Sequence, residues 1–361
     1  METKQNERIK AIDFGRGMSV LVMILVHTLW VYGSVETQRD STLGHVVHFL
    51  GKGTAMFLVS MGVSFVLSSR QSVGGSMKRG LIILAVGYLM NILKFIVPLE
   101  VFHTMPEGFL QDYGWTRPLS AGKLIWLASL GDILQLAGLA LFFMGLANRY
   151  VKNKYGLLII ALVIAIPSRL LSGVSTEITG LHYVCELLFS DGWHVYFPAF
   201  PWMSFMFAGM FFGRWYKELE YDQDLLFKKM LTWGIILLLI GGGLCYYDFS
   251  YHFGDFFHLG PGGAFYLLGL NLVVFWLVHL CVKNAKTNYF LSLTYYCSKN
   301  VTSMYVIQWT LVFWGTMIFG YKTHDPLTTV LIMPIIVVAT FGVNYLFQIT
   351  KNNVLRGLTS L

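Results

Sequence analysis

Stretches of roughly 20 mostly apolar residues recur from one end of this 361-residue chain to the other, separated only by short polar joints. That is the length of helix needed to cross a hydrocarbon layer about 30 Å thick. Lipid gives the backbone no hydrogen-bond partners, so each such stretch has to satisfy its own N–H and C=O groups as a helix. The sequence predicts ten spans, near residues 16–33, 48–69, 79–97, 125–147, 155–171, 196–215, 230–247, 263–282, 301–320 and 327–347. Pro167 and Arg169 crowd the end of the fifth. Only 12% of residues are charged, against about 25% in soluble domains. The expected fold is therefore all-α and polytopic, a single transmembrane domain over residues 1–361.

Charge sets the expected orientation. With the N-terminus in the cytoplasm, 19 of the 26 Lys and Arg residues fall on that side and both termini are cytoplasmic, as the positive-inside rule requires. The net charge of +7 then reflects topology and contact with anionic lipid, not nucleic acid. The expected location is the cell membrane, in a bacterium the cytoplasmic membrane. The four cysteines show no paired spacing, and no arrangement of His, Cys, Asp and Glu suggests a metal site. No Walker or Rossmann fingerprint is present, which disfavours nucleotide hydrolysis and dinucleotide redox chemistry. The outer joints carry His182, His194, Glu186, Trp193 and Tyr196 among other histidines, acids and aromatics. They suit a polar, aromatic cup of the kind that binds a sugar.

The first apolar segment holds the sharpest signal. Arg16 and His27 are eleven residues apart, which on a helix is about 20° beyond three full turns. They share one stripe at an axial separation of about 16 Å, with Asp13 close enough to pair with Arg16. If Arg16 marks the cytoplasmic boundary, His27 lies near mid-membrane. An ionisable group at that depth faces protein or water and marks a functional site or an interhelical hydrogen bond.

The stretch "IDFGRG", followed by an apolar helix in which ten residues separate Arg16 from His27, resembles the opening of the transmembrane acyltransferase superfamily. That superfamily includes the acyltransferase-3 proteins and the heparan-α-glucosaminide N-acetyltransferase-like proteins. "GTAMFLVSMGVSFVLSSR", "KRGLIILAVGYLMNIL", "GDILQLAGLALF", "FPAFPWMSFMFAGMFFGR" and "SKNVTSMYVIQW" continue the resemblance in the same order. Two positions depart from it. Acyltransferase-3 proteins often have a histidine late in the chain where this one has Gln308. In the heparan-type branch the catalytic histidine is assigned to the outer region after the first helix, where His45 and His48 fall.

The resemblance implies transfer of an acetyl group from cytoplasmic acetyl-CoA to a hydroxyl or amino group of a saccharide or glycoconjugate on the other side. His27 is the favoured base, and His48 and His45 remain alternatives. Asp13 and Arg16 would organise the donor entrance. The loop "SSRQSVGGSMKRG" supplies Arg70, Gly75, Lys78 and Arg79, with Ser76 expected as the N-cap of the third helix; exposed N–H groups at a helix start favour phosphate. Trp30, Asp132, Gln135, Trp202 and Gln308 are the candidates for binding the acceptor along a polar passage. Lys52, Asn91, Lys94 and Ser303 are further polar residues in or near the spans. A transporter of a small polar molecule is the rival reading, but it would bring internal repeats, and the Arg16/His27 helix has no counterpart in the second half. The acceptor and the oligomeric state, a homodimer included, leave no signature.

Overall fold

The backbone hydrogen bonds of this chain close within helices almost throughout. The structure, a computed structural model, describes residues 8–178, 180–286 and 288–359, with side chains through residue 353. Among them the only extended pairings are two isolated bridges, Gly33 with His324 and Gly131 with Val195.

Among the described residues, eight helices are long and apolar enough to cross a membrane: Lys10–Tyr32, Thr42–Leu67, Val73–Val101, Ile133–Tyr150, Gln223–Tyr247, Pro261–Val282, Val301–Phe319 and Pro326–Asn353. The other two expected spans look different. The fifth forms a short helix, Lys154–Ala165, and stops ahead of Pro167, whose ring cannot continue a helical ladder. The sixth forms the 20-residue helix Ala199–Glu218, which is buried along nearly its whole length, so its surroundings are protein. The fourth span, expected to run unbroken over 125–147, divides into Ala121–Ala128 and Ile133–Tyr150. The break is held open because Gly131 donates its N–H to the His194 carbonyl and accepts from Tyr196 N–H, both at 2.8 Å.

The chain groups into two compact units. One comprises Met1–Arg16, Lys52–Tyr88 and Ser129–Asn288; the other comprises Gly17–Gly51, Leu89–Ala128 and Tyr289–Leu361. The first unit is organised by helices packed at backbone distance. Where Thr54–Leu67 meets Ala199–Glu218, a Cβ on Gly62 would lie 2.0 Å from the Met206 carbonyl oxygen, and one on Gly209 would lie 2.2 Å from that of Val59. Small residues allow this approach in membrane helices, where dispersion contacts must replace the hydrophobic drive. Around the seam, Phe205, Met206, Phe207, Met210 and Phe211 are fully buried.

The second unit is built on the latter part of Lys10–Tyr32, and its last carbonyls are all met. Lys322 N–H donates to Val31, and the N–H groups of Thr323 and His324 donate to Tyr32, at 2.8–3.1 Å. These bonds satisfy acceptors that a helix end otherwise leaves orphaned. The Tyr32 hydroxyl donates to the Val312 carbonyl at 2.6 Å. The Asn344 amide donates to the Tyr296 hydroxyl, and its oxygen accepts from Ser303, each at 2.7 Å. The third span changes register here: Ile92–Val101 is π-helical and contains Pro98. Pro98 lacks the N–H that would reach the Leu93 carbonyl five residues back, and the Trp314 indole N–H occupies that acceptor instead at 2.8 Å.

The backbone seam yields a direct test. Gly209→Ala should cost about 1–3 kcal/mol or more by overpacking and lower the thermal transition of the detergent-purified protein. Gly242→Ala, where an added Cβ meets nothing within 4 Å, should be neutral or slightly stabilising.

Candidate active site

The Lys10–Tyr32 helix begins six residues before Arg16, so Arg16 lies about 9 Å inside it and His27 about 8 Å from its far end. Arg16 is held by side chains of the first unit. One guanidinium nitrogen donates to Asp13 Oδ1 at 2.8 Å and another to Ser64 Oγ at 3.2 Å. The pairing expected from the i,i+3 spacing is present, and Ser64 is an addition from the second span.

His27 is 6% exposed and lies among aromatic rings in the second unit. It stacks on Trp309 with centroids 3.6 Å apart and planes 18° apart, and Tyr305 meets it edge-on at 5.9 Å. Its Nδ1 is 2.9 Å from the side-chain amide of Gln308. Trp30, one turn onward, lies 5.7 Å from the imidazole, and its indole N–H donates to His48 Nε2 at 2.9 Å. Four of the anticipated residues, His27, Trp30, His48 and Gln308, are thus brought together. His48 spends its Nε2 lone pair on Trp30, while His45, one turn earlier, is exposed.

Three further residues complete the cluster. Trp309 and Tyr305 are indistinguishable in the sequence from the many other aromatics of an apolar helix. Lys94 does carry a signal, being a lysine within an apolar run. It is 3% exposed, and its ammonium lies 4.5 Å from the Trp309 ring and 4.6 Å from that of Phe95. Ring faces offer a desolvated cation partial compensation. Lys94 sits in the π-helical stretch, a local geometry frequent at functional sites. The Gln308 oxygen and the Trp309 indole N–H are buried and find no hydrogen-bond partner among the described residues. Orphans of this kind are rare in folded proteins.

The other anticipated residues sit in the first unit. The loop ahead of the third span is a basic surface on which Arg70 and Lys78 are exposed. Arg79 folds back, donating to the carbonyls of Arg70 and Gly75. The expected N-cap, Ser76, is not at the helix start. The helix begins at Val73, and Ser72 takes the capping role by accepting from Gly75 N–H at 3.2 Å. Ser76 instead lies fully buried against Gly145. Gln71 bridges to Asn148, whose amide oxygen accepts from Arg214 at 3.2 Å.

Asp132 and Gln135 form a capping box. Asp132 Oδ1 accepts from Ile133 N–H at 2.7 Å, and Gln135 Oε1 accepts from Asp132 N–H at 3.0 Å. A carboxylate at this depth is accounted for by a helix N-terminus. Trp202 is fully buried and donates its indole N–H to the Phe257 carbonyl at 2.7 Å, which makes it core. Among the described residues, no three His, Cys, Asp or Glu side chains converge as a metal site would require.

The capping role of Asp132 makes a clear expectation. Asp132→Asn should keep near-native stability, whereas Asp132→Ala should lose about 1 kcal/mol, read as a lower thermal transition.

The family model described as Heparan-alpha-glucosaminide N-acetyltransferase, catalytic, matches residues 8–247. The match takes in Arg16, His27, His48 and Lys94 and ends before Gln308 and Trp309. No curated protein matches the chain at a significant level. With roughly two thirds of its length matched, and with a buried histidine cluster on its first membrane-crossing helix, the chain belongs to the heparan-alpha-glucosaminide N-acetyltransferase catalytic family of transmembrane acetyltransferases.

Proposed function

We propose that the protein moves an acetyl group from acetyl-CoA on the cytoplasmic face to a hydroxyl or amino group of a saccharide or glycoconjugate on the opposite face, with His27 as base. The carrying observation is the buried His27 imidazole, held between the Gln308 amide and the Trp309 ring. The N-terminus is placed in the cytoplasm by the excess of Lys and Arg on that side. The two compact units are interleaved along the chain, so neither exists as a continuous piece of sequence, and residues 1–361 are best taken as one catalytic body.

The chemistry follows from which imidazole nitrogen carries the proton. An amide looks nearly the same with its oxygen and nitrogen exchanged, and the hydrogen-bond network decides between the two. With Gln308 Oε1 turned toward His27, it accepts from Nδ1–H, and the amide nitrogen takes the other position. The lone pair then resides on Nε2, which is the form a general base requires. Nε2 takes the acceptor's proton as its oxygen or nitrogen attacks the thioester carbonyl. The C–S bond breaks, and the departing coenzyme A thiolate takes the proton from Nε2, which restores neutral His27. The Trp309 indole N–H is a donor without a partner beside the base, suited to the oxygen on which negative charge develops.

On the same helix, about 16 Å back along the axis, the Asp13–Arg16–Ser64 set marks the donor side. Arg70 and Lys78, exposed on either side of Gly75, offer cationic contacts to the donor's phosphates.

Release of free coenzyme A, measured with purified protein, acetyl-CoA and candidate glycan acceptors, tests this reading. His27→Ala should lower acceptor-dependent release by about 10²–10⁴-fold while acetyl-CoA binding is retained. Full activity in that variant would move the base to His48 or His45. Absence of acetyl-CoA binding by well-folded wild type would overturn the donor assignment. Trp309→Phe keeps an aromatic ring beside His27 while removing the N–H; the expected loss is about 10²-fold in kcat with little change in KM.

A further inference from the structure

A second hydrogen-bonded cluster lies in the first unit, independent of His27. Ser129 occupies the break between Ala121–Ala128 and Ile133–Tyr150, two residues before the bridge that pins Gly131 to Val195. Its hydroxyl is 3.0 Å from His194 Nε2. His194 Nδ1 is 2.8 Å from Glu186 Oε2. Glu186 belongs to the helix Leu181–Phe189, and its second oxygen faces His182 Nε2 at 3.6 Å. The His194 side chain is 13% exposed and that of Glu186 22%. The Tyr183 hydroxyl donates to the Ser129 carbonyl at 2.7 Å and is itself 2.9 Å from the Tyr88 hydroxyl. Burial and the bond to Tyr88 raise the Tyr183 phenol above its ordinary range, which keeps it a donor.

Serine hydroxyl, imidazole and carboxylate stand here in the order and at the distances of an activated-nucleophile triad. Glu186 accepts Nδ1–H, which fixes the tautomer and leaves the Nε2 lone pair facing the Ser129 hydroxyl. A network serving only to hold these segments would not need that order, since the bridge at Gly131 and the Tyr183 bond already join them.

We infer that Ser129, with His194 as base and Glu186 orienting it, is the nucleophile of a second acyl-transfer site that cleaves O-acyl esters of saccharides. Ser129 Oγ forms a bond to the ester carbonyl carbon as its proton passes to His194 Nε2. The bond from that carbon to the sugar oxygen breaks, and the sugar leaves with the proton. Water then gives a proton to Nε2 and its hydroxide to the acyl carbon, releasing the carboxylic acid and restoring Ser129. His182 and Tyr183, each in contact with the triad, also line an open cavity of about 630 Å³ with Ser175 and Thr176. Trp193, exposed and 6.0 Å from Tyr196, adds an aromatic surface of the kind on which sugar rings lie.

The test uses full-length protein in detergent, treated with a fluorophosphonate probe and mapped by peptide mass spectrometry. The expected result is a covalent adduct on Ser129 that is absent in Ser129→Ala and forms at least about tenfold more slowly in His194→Ala and Glu186→Gln. Hydrolysis of p-nitrophenyl acetate should fall in parallel. Glu186→Gln is nearly isosteric and reads the triad even if Ser129→Ala does not fold. Wild-type protein that keeps its thermal transition but gains no adduct on Ser129, or a folded Glu186→Gln labelled at the wild-type rate, would overturn the assignment. Neither result depends on coenzyme A release, so this site and the acetyl-CoA reaction stand or fall separately.

Discussion

A polar atom withdrawn from water into a helical bundle has to be met by protein, because nothing else there can meet it. That requirement explains much of what surrounds His27. Its imidazole is matched by the Gln308 amide and the Trp309 ring. The final carbonyls of its helix are matched by the N–H groups of residues 322–324. The acceptor left over by Pro98 in the neighbouring π-helical stretch is matched by Trp314. Each of these partners comes from the last quarter of the chain, which these bonds tie to the first helix and to the third span.

Close backbone packing does the corresponding work in the other unit. Gly62 and Gly209 bring two helices to a distance that no side chain would permit, and the aromatic and methionine side chains of Ala199–Glu218 fill the space around the seam. This explains how a helix with a broken start at Phe200 and few lipid-facing residues can still be central. Its stability comes from contacts on all sides, not from partition into lipid.

Some of the site could be read from residue order. Asp13, Arg16 and His27 are local to one helix, where periodicity alone sets relative position, and the Asp13–Arg16 pair forms as the spacing requires. Gln308 and His27 each stood out as a polar residue in an apolar run, although nothing in residue order showed that they pair across 281 positions. Other residues have structural partners that residue order did not show. Asp132 and Gln135 looked like lining of a passage, yet they cap a helix whose start was invisible while 125–147 read as one apolar stretch. Ser76 looked like a cap because Gly74 and Gly75 are poor helix formers, but with Ser72 ahead of them they enter the first turn. Trp202 was a candidate for binding the acceptor, and its indole N–H completes a buried hydrogen bond to Phe257. In each case a local pattern had two uses, and only the neighbour across space selected one.

The sequence by itself determined that this chain is a multi-pass set of membrane-crossing helices and that one helix carries an arginine and a histidine on a common stripe. Composition and a helical period of 3.6 residues suffice for those conclusions, because hydrophobicity and backbone geometry act along the chain. Tertiary structure alone decided which histidine is enclosed by aromatic rings and which is spent on Trp30. It also brought Lys94 to Trp309, and Ser129, His194 and Glu186 into one line. Those outcomes rest on distances between residues tens to hundreds of positions apart, and such distances are set by packing, about which residue order carries no direct information.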